Sequence, residues 1–219
     1  MENINIPENA KEIISELAIM GLDKILEKTI QSDNEILKEI PIIKSIVSAI
    51  QIGSAIQNAH FIKKYACFIG IVNENKIDDK LLFDVLKNKK EVKKIIEQTI
   101  IEIDRYQTIE KTKMLSLLFV KTFKDKTFSI EEYNILLFGI EAIQSYTGIE
   151  TLQKYYKAGE YLGFDVKHNE KVKDLDYTQL FGTGLITTPA VSSYFGGADF
   201  VAFISKLGIK FYENIIVNL

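Results

Sequence analysis

The sequence predicts a mainly α-helical protein, a multi-helix bundle over residues 1–163 with a small C-terminal α+β subdomain over 164–219. Three observations lead there. Helix-start signatures recur along most of the chain, and the apolar residues between them return at spacings of three and four. Near residue 164 that texture gives way to short apolar runs punctuated by glycine. A chain of 219 residues can bury one sizeable core, or one core with a small appended unit.

Pro7 suits the first position of a helix, and Ala10, Ile13, Ile14, Leu17, Ala18, Leu22 and Ile25 give that helix a broad apolar face. Three pairs of a hydroxyl and a carboxylate three residues apart follow: Ser32 with Glu35, Ser129 with Glu132, and Thr147 with Glu150. Each pair can satisfy amides left exposed at a helix start. Asp78 is a fourth cap, ahead of Leu81, Leu82, Val85 and Leu86. From about Lys90 to Phe123 the pattern stays helical. Val92, Ile96, Thr99, Ile103 and Tyr106 form a seam, while Lys93, Lys94, Glu97, Glu102 and Asp104 cover the other sides. So short a seam fits a bundle better than a long coiled coil. Residues 130–146 and 148–162 read as two more helices, antiparallel because their link is short.

Between Lys44 and Lys63 the chain carries no formal charge. As one straight helix this stretch would rise roughly 28 Å, close to the ~30 Å hydrocarbon thickness of a bilayer. Ser45, Ser48, Gln51, Ser54, Gln57, His60 and Lys63 interrupt it at every third position, which an ordinary lipid-facing span does not tolerate. A period of three spirals around a helix of ~3.6 residues per turn, and splitting the segment at Gly53 resolves the spiral into two amphipathic halves facing opposite ways. The candidate membrane or oligomer segment is therefore Ile42, Ile43, Ile46, Val47, Ile50, Gly53, Ile56, Ala59 and Ile62, within an amphipathic stretch 42–72. Core helix, subunit seam and membrane-active segment remain open readings.

Net charge of -3 argues against a dedicated nucleic-acid binder, which needs surplus cations to neutralise phosphate. Arg105 is the only arginine, which weakens any phosphate-fork proposal. Lys87, Lys89, Lys90, Lys93 and Lys94 form a basic cluster diluted by Asp84, Glu91 and Glu97. It reads as a solvated face or as an anionic-partner patch, for which lipid headgroups are the most tolerant partner. Cys67 is the single cysteine, so no internal disulfide forms, and its neighbours Tyr65, Ala66, Phe68 and Ile69 predict a buried, inert thiol. The first residues lack the basic and apolar regions of a signal peptide. The expected location is the cytoplasm, peripheral to or inserting into the inner membrane on activation.

Catalytic chemistry finds no motif. His60 and His168 are far apart and lack the spacing that sets two imidazoles on one helical face. Gly182-Thr183-Gly184 and Gly196-Gly197 lack the Lys-Ser/Thr of a phosphate loop, and Lys124 to Tyr133 lacks the carboxylates and glycine of a calcium loop. No serine, histidine and acid show a local triad signature. The expectation is a non-enzyme with no catalytic residue, no cofactor and no metal.

The tail reads as helix, strand, turn, strand, helix. Gly184-Leu185-Ile186 and Leu207-Gly208 resemble the wing of winged-helix proteins. Asp174 and Asp176 in the preceding segment, with Lys171 and Lys173 only at its front, depart from a groove-reading helix, which favours a wing-like hairpin subdomain that packs on the bundle. Pro41 with the apolar stretch, Phe61-Ile62-Lys63-Lys64-Tyr65 leading to Phe68-Ile69, Ile103-Asp104-Arg105 with Glu110-Lys111, and Gly184-Leu185-Ile186 together resemble a group of small helical bacterial proteins of mobile-element and phage-defence loci. That resemblance carries no catalytic residues. It implies a defence-type effector or regulator, oligomeric and membrane-active. The function expected is a non-enzymatic oligomeric helical effector whose 42–72 segment packs at rest and perturbs a membrane when released. The alternative is a helical adaptor or regulator that binds protein or nucleic acid through the tail. Partners on these readings are further copies of the chain, membrane lipid, or a protein, nucleotide or nucleic-acid trigger.

Overall fold

The computed structural model describes residues 55–77, 79–144, 147–162, 175–187, 190–192 and 199–219. The described chain is mainly helical. Its contacts divide it into two compact units, Met1–Thr127 and Phe128–Leu219. The boundary drawn from sequence, between 163 and 164, lies outside the described residues. By contacts the helices over 130–162 belong with the tail.

The first unit holds α1 (Ala55–Glu74), α2 (Asp79–Leu86), α3 (Lys89–Arg105) and α4 (Ile109–Phe123). α1 packs on α4 and α3, and α2 packs on α3 and α4. Phe61, Ala66, Cys67, Phe68, Ile69, Ile71 and Val72 of α1 are all buried, so apolar residues cover more than one side of the helix. α1 is therefore a core helix of this unit. The bend at Gly53, and with it Ile42, Ile43, Ile46, Val47 and Ile50, lies outside the described residues. Ile56, Ala59 and Ile62 belong to α1, but their side chains lie outside the description.

The pattern that runs on from Lys90 to Phe123 is two helices. Tyr106 turns extended (φ -61, ψ 130), and Thr108 caps α4 by accepting the Lys111 amide. The seam residues Val92, Ile96, Thr99, Ile103 and Tyr106 are nevertheless all buried. Buried hydroxyls on α4 return to their own helix: Ser116 donates to the Thr112 carbonyl and Thr122 to that of Leu118, each at 2.7 Å. The unit closes on side chains. Leu115, Leu118 and Phe123 are fully buried, and Phe119 meets Phe68 edge-on at 5.3 Å and Phe123 at 4.5 Å between ring centres.

The second unit holds α5 (Ile130–Ala142), α6 (Thr147–Leu162), a 3-10 turn (Tyr177–Leu180), β1 (Ala190–Ser192), β2 (Asp199–Val201) and α7 (Lys206–Asn214). The Ser129–Glu132 capping box forms in both directions: Ser129 N donates to Glu132 Oε2 at 2.8 Å, and Glu132 N to Ser129 Oγ at 3.1 Å. At the next helix Thr147 is the first helical residue, and its hydroxyl hydrogen-bonds to Gln179. The Ser32 pair and Asp78 lie outside the described residues.

The segment Leu180 to Leu185 is wedged between two helices by glycine. A Cβ on Gly139 of α5 would collide with the Thr183 carbonyl oxygen, and one on Gly208 of α7 with that of Leu185. Gly182 and Gly184 both take φ +78, which lets the chain turn through this gap. Thr183 and Ser205 complete the wedge. Thr183 Oγ1 donates to Leu180 O and accepts Leu185 N, while Ser205 Oγ donates to Gly184 O and accepts Gly208 N.

Strand structure among the described residues is confined to three facing pairs, Ala190↔Val201, Val191↔Phe200 and Ser192↔Asp199, plus the Ile186↔Ile204 bridge. So short a ladder has no independent stability. Ahead of it, where a wing needs a helix, Asp176 accepts from the Thr178 amide and hydroxyl and from Gln179 Nε2, which tightens the chain into a four-residue 3-10 turn. The expectation of an α+β wing-like subdomain is corrected accordingly: the described tail is part of a mainly helical unit.

Candidate functional site

The start of α3 is the most strongly charged surface that the sequence marked. α2 ends at Leu86, Lys87 adopts a left-handed conformation (φ 62), and Asn88 caps α3 with its Oδ1 accepting Glu91 N at 3.0 Å. The buried stripe Val92, Ile95, Ile96, Thr99, Ile100 and Ile103 fixes which way α3 faces. Lys87, Lys89, Lys90, Lys93 and Lys94 are consequently all exposed. Lysines in the first turn stand at the positive end of the helix dipole, an arrangement folding alone does not favour. Among the described residues the only acid within ion-pair range of the five is Glu97, 3.9 Å from the half-exposed Lys93, a pair worth under about 1 kcal/mol. The cations therefore remain available to an outside anion, and Asp84 and Glu91 moderate the field.

The corner between α3 and α4 is a second polar cluster, and the sequence did not mark it. Lys64 is buried on α1, and its ammonium donates to the Asp104 and Tyr106 carbonyls, both at 2.7 Å. Those carbonyls lie at the C-terminal end of α3, so Lys64 acts as a cap from a neighbouring helix. His60 adds a 3.1 Å bond from Nε2 to Gln107 O. Glu102, expected on an outer side of α3, is 3 % exposed. Its Oε1 accepts from Arg105 Nη1 at 2.8 Å, and its Oε2 has no hydrogen-bond partner. The cluster ties α1 to the end of α3 and to the loop that leads to α4, and its chemistry is that of a structural joint. Among the described residues no group of His, Cys, Asp or Glu is placed to hold a metal ion.

Cys67 is fully buried, and burial pushes its thiol up to about 11, which Lys113 slightly offsets and Glu74 reinforces. A thiol so protonated is no nucleophile at neutral pH. In the second unit Ile135 and Phe138 stand exposed on α5, and Phe181 is exposed after the 3-10 turn. His168, Gly196 and Gly197 lie outside the described residues.

No described helix is long and apolar enough to cross a membrane. Compared with protein-family models, curated proteins and solved structures, the chain matches none.

Proposed function

We propose that this chain is a non-enzymatic helical effector that acts peripherally at an anionic membrane surface, with the lysine-bearing start of α3 as the contact. The observation that carries the reading is the set of five exposed lysines around the Asn88 cap, with Glu97 their sole ion-pair partner among the described residues. Scattered lysines without arginine forks suit a fluid array of headgroups better than a fixed phosphate geometry. The burial of Phe61, Ala66, Phe68, Ile69 and Val72 moves the point of action away from that part of the 42–72 segment. We read the effector as a homo-oligomer, with exposed Ile135, Phe138 and Phe181 of the second unit as the supporting surface. The defence setting rests on the sequence resemblance alone.

Flotation of the full chain with vesicles tests this. Phosphatidylglycerol mixed with phosphatidylcholine should carry the protein, phosphatidylcholine alone should not, and high salt should release it. At about 1 kcal/mol per lysine, replacing Lys89, Lys90, Lys93 and Lys94 with Gln should lower partitioning by roughly a hundred-fold or more with unchanged circular dichroism. Absence of flotation overturns the reading, and lysine-dependent retention of duplex DNA in its place would assign the patch to nucleic acid.

A further inference from the structure

α3 runs roughly 25 Å, with one side in the core and the other in solvent. Lys90, Lys94 and Ile101 follow one another at i, i+4 and i+11, about three turns, and so form a single line along the helix. That line runs down the middle of the outer side, because buried Val92, Thr99 and Ile103 mark the side directly opposite. Ile101 is 50 % exposed, and among the described residues of the first unit no other large apolar side chain stands so open. A lone exposed isoleucine is ordinary on a surface, but this one interrupts a helix side that is otherwise polar and shares its line with two of the lysines.

Cations and an apolar residue on one side of a helix supply the two contributions that hold a protein at an anionic bilayer, attraction to headgroups and burial of apolar surface at the acyl boundary. A free anion or a phosphate backbone in water gives the isoleucine nothing to bury against. The remaining outer residues set the roll of the helix. Glu97 and Asp104 fall on one flank of the line, where they oppose an anionic surface, and Gln98 and Arg105 fall on the other, where they do not.

We propose that Ile101 is the apolar anchor with which α3 enters an anionic bilayer, the helix lying along the surface with Lys90 and Lys94 at the headgroups and rolled so that Glu97 and Asp104 face water. The inference rests on the membrane-surface reading above and adds a contact that salt does not screen. The chain has no tryptophan, so Ile101→Trp places a single indole at the proposed depth. With vesicles containing phosphatidylglycerol its emission should shift to the blue and be quenched by brominated acyl chains, and that of Phe138→Trp, on the second unit, should not be quenched. In flotation Ile101→Ser should lower partitioning about ten-fold with unchanged circular dichroism. That factor should hold as salt rises, whereas the deficit of the lysine-to-glutamine chain should shrink. A chain that floats through its lysines but is indifferent to Ile101→Ser, or whose indole escapes quenching, overturns this inference and leaves the membrane-surface reading standing. Absence of flotation overturns both. An Ile101→Trp emission already shifted to the blue without vesicles, and dependent on protein concentration, gives this face to a second copy of the chain and overturns the anchor.

Discussion

The two units are closed by different means. In the first, the four described helices meet through large side chains, and the tightest points are aromatic rings and a buried lysine. In the second, backbone meets backbone, with Gly139 and Gly208 admitting the carbonyls of Thr183 and Leu185 closer than any side chain would allow. A side-chain core degrades gradually, since truncation leaves a void that neighbours partly refill. A backbone wedge has no such slack, and adding a single carbon is the damaging change.

Substitutions that attack one mode and spare the other make the contrast measurable. Phe123→Ala should have the largest effect, costing about 4 kcal/mol by removing a fully buried ring. Hydrogen exchange should accelerate across α1, α3 and α4 while Leu180 to Leu185 keeps its protection. Gly208→Ala should cost about 3 kcal/mol despite the better helix propensity of alanine, because the new methyl meets a carbonyl held by Ser205 N at 2.9 Å. Its exchange should accelerate in α5, α7 and the wedge, and a Gly208→Ala chain as stable as the parent would dismiss the interlock.

The smallest effect concerns charge. Although burial raises the Glu132 carboxyl, hydrogen bonds from Lys210 and Ser129 and the Lys210 charge outweigh it and hold the group below its usual value. A carboxylate depressed in the folded state adds stability above its unfolded pKa, and that stability fades as pH falls through the lowered folded value. Glu132→Gln keeps the capping geometry and loses the 2.7 Å pair to Lys210, so at neutral pH it should cost under about 1 kcal/mol. Thermal melts of the two chains should converge in acid. A gap that persists there would mean that the pair contributes through shape and not charge.

Much of the helical order was legible because it rests on local rules. Ser129 and Glu132 make their box within a single turn, and the Val92 to Tyr106 seam is buried as its spacing implies. The break after Arg105 was not legible, because what stabilises it is remote. Lys64 reaches the carbonyls of Asp104 and Tyr106 from some forty residues away, and a lysine in an apolar run carries no local sign of that task. Thr108 was a weak cap signal, with Lys111 where a capping box has Glu or Gln. The glycine wedge escaped for a related reason: Gly139 sits inside a helical pattern, where its cost is visible but the carbonyl it accommodates is not. Within the candidate site, the lysines were readable as composition and their exposure followed from the seam. Glu102 was misplaced by the same helical count, since a buried carboxylate is an exception that periodicity cannot flag.

Cys67 gives the first unit a timekeeper of its own. As the single thiol of the chain and fully enclosed, it reacts with a disulfide reagent only when α1 leaves its neighbours. The interval before labelling thus counts openings of that unit alone, in unmodified protein and in the presence of vesicles. A surface that merely touches a membrane should leave this interval unchanged, whereas one that unpacks the core there should shorten it.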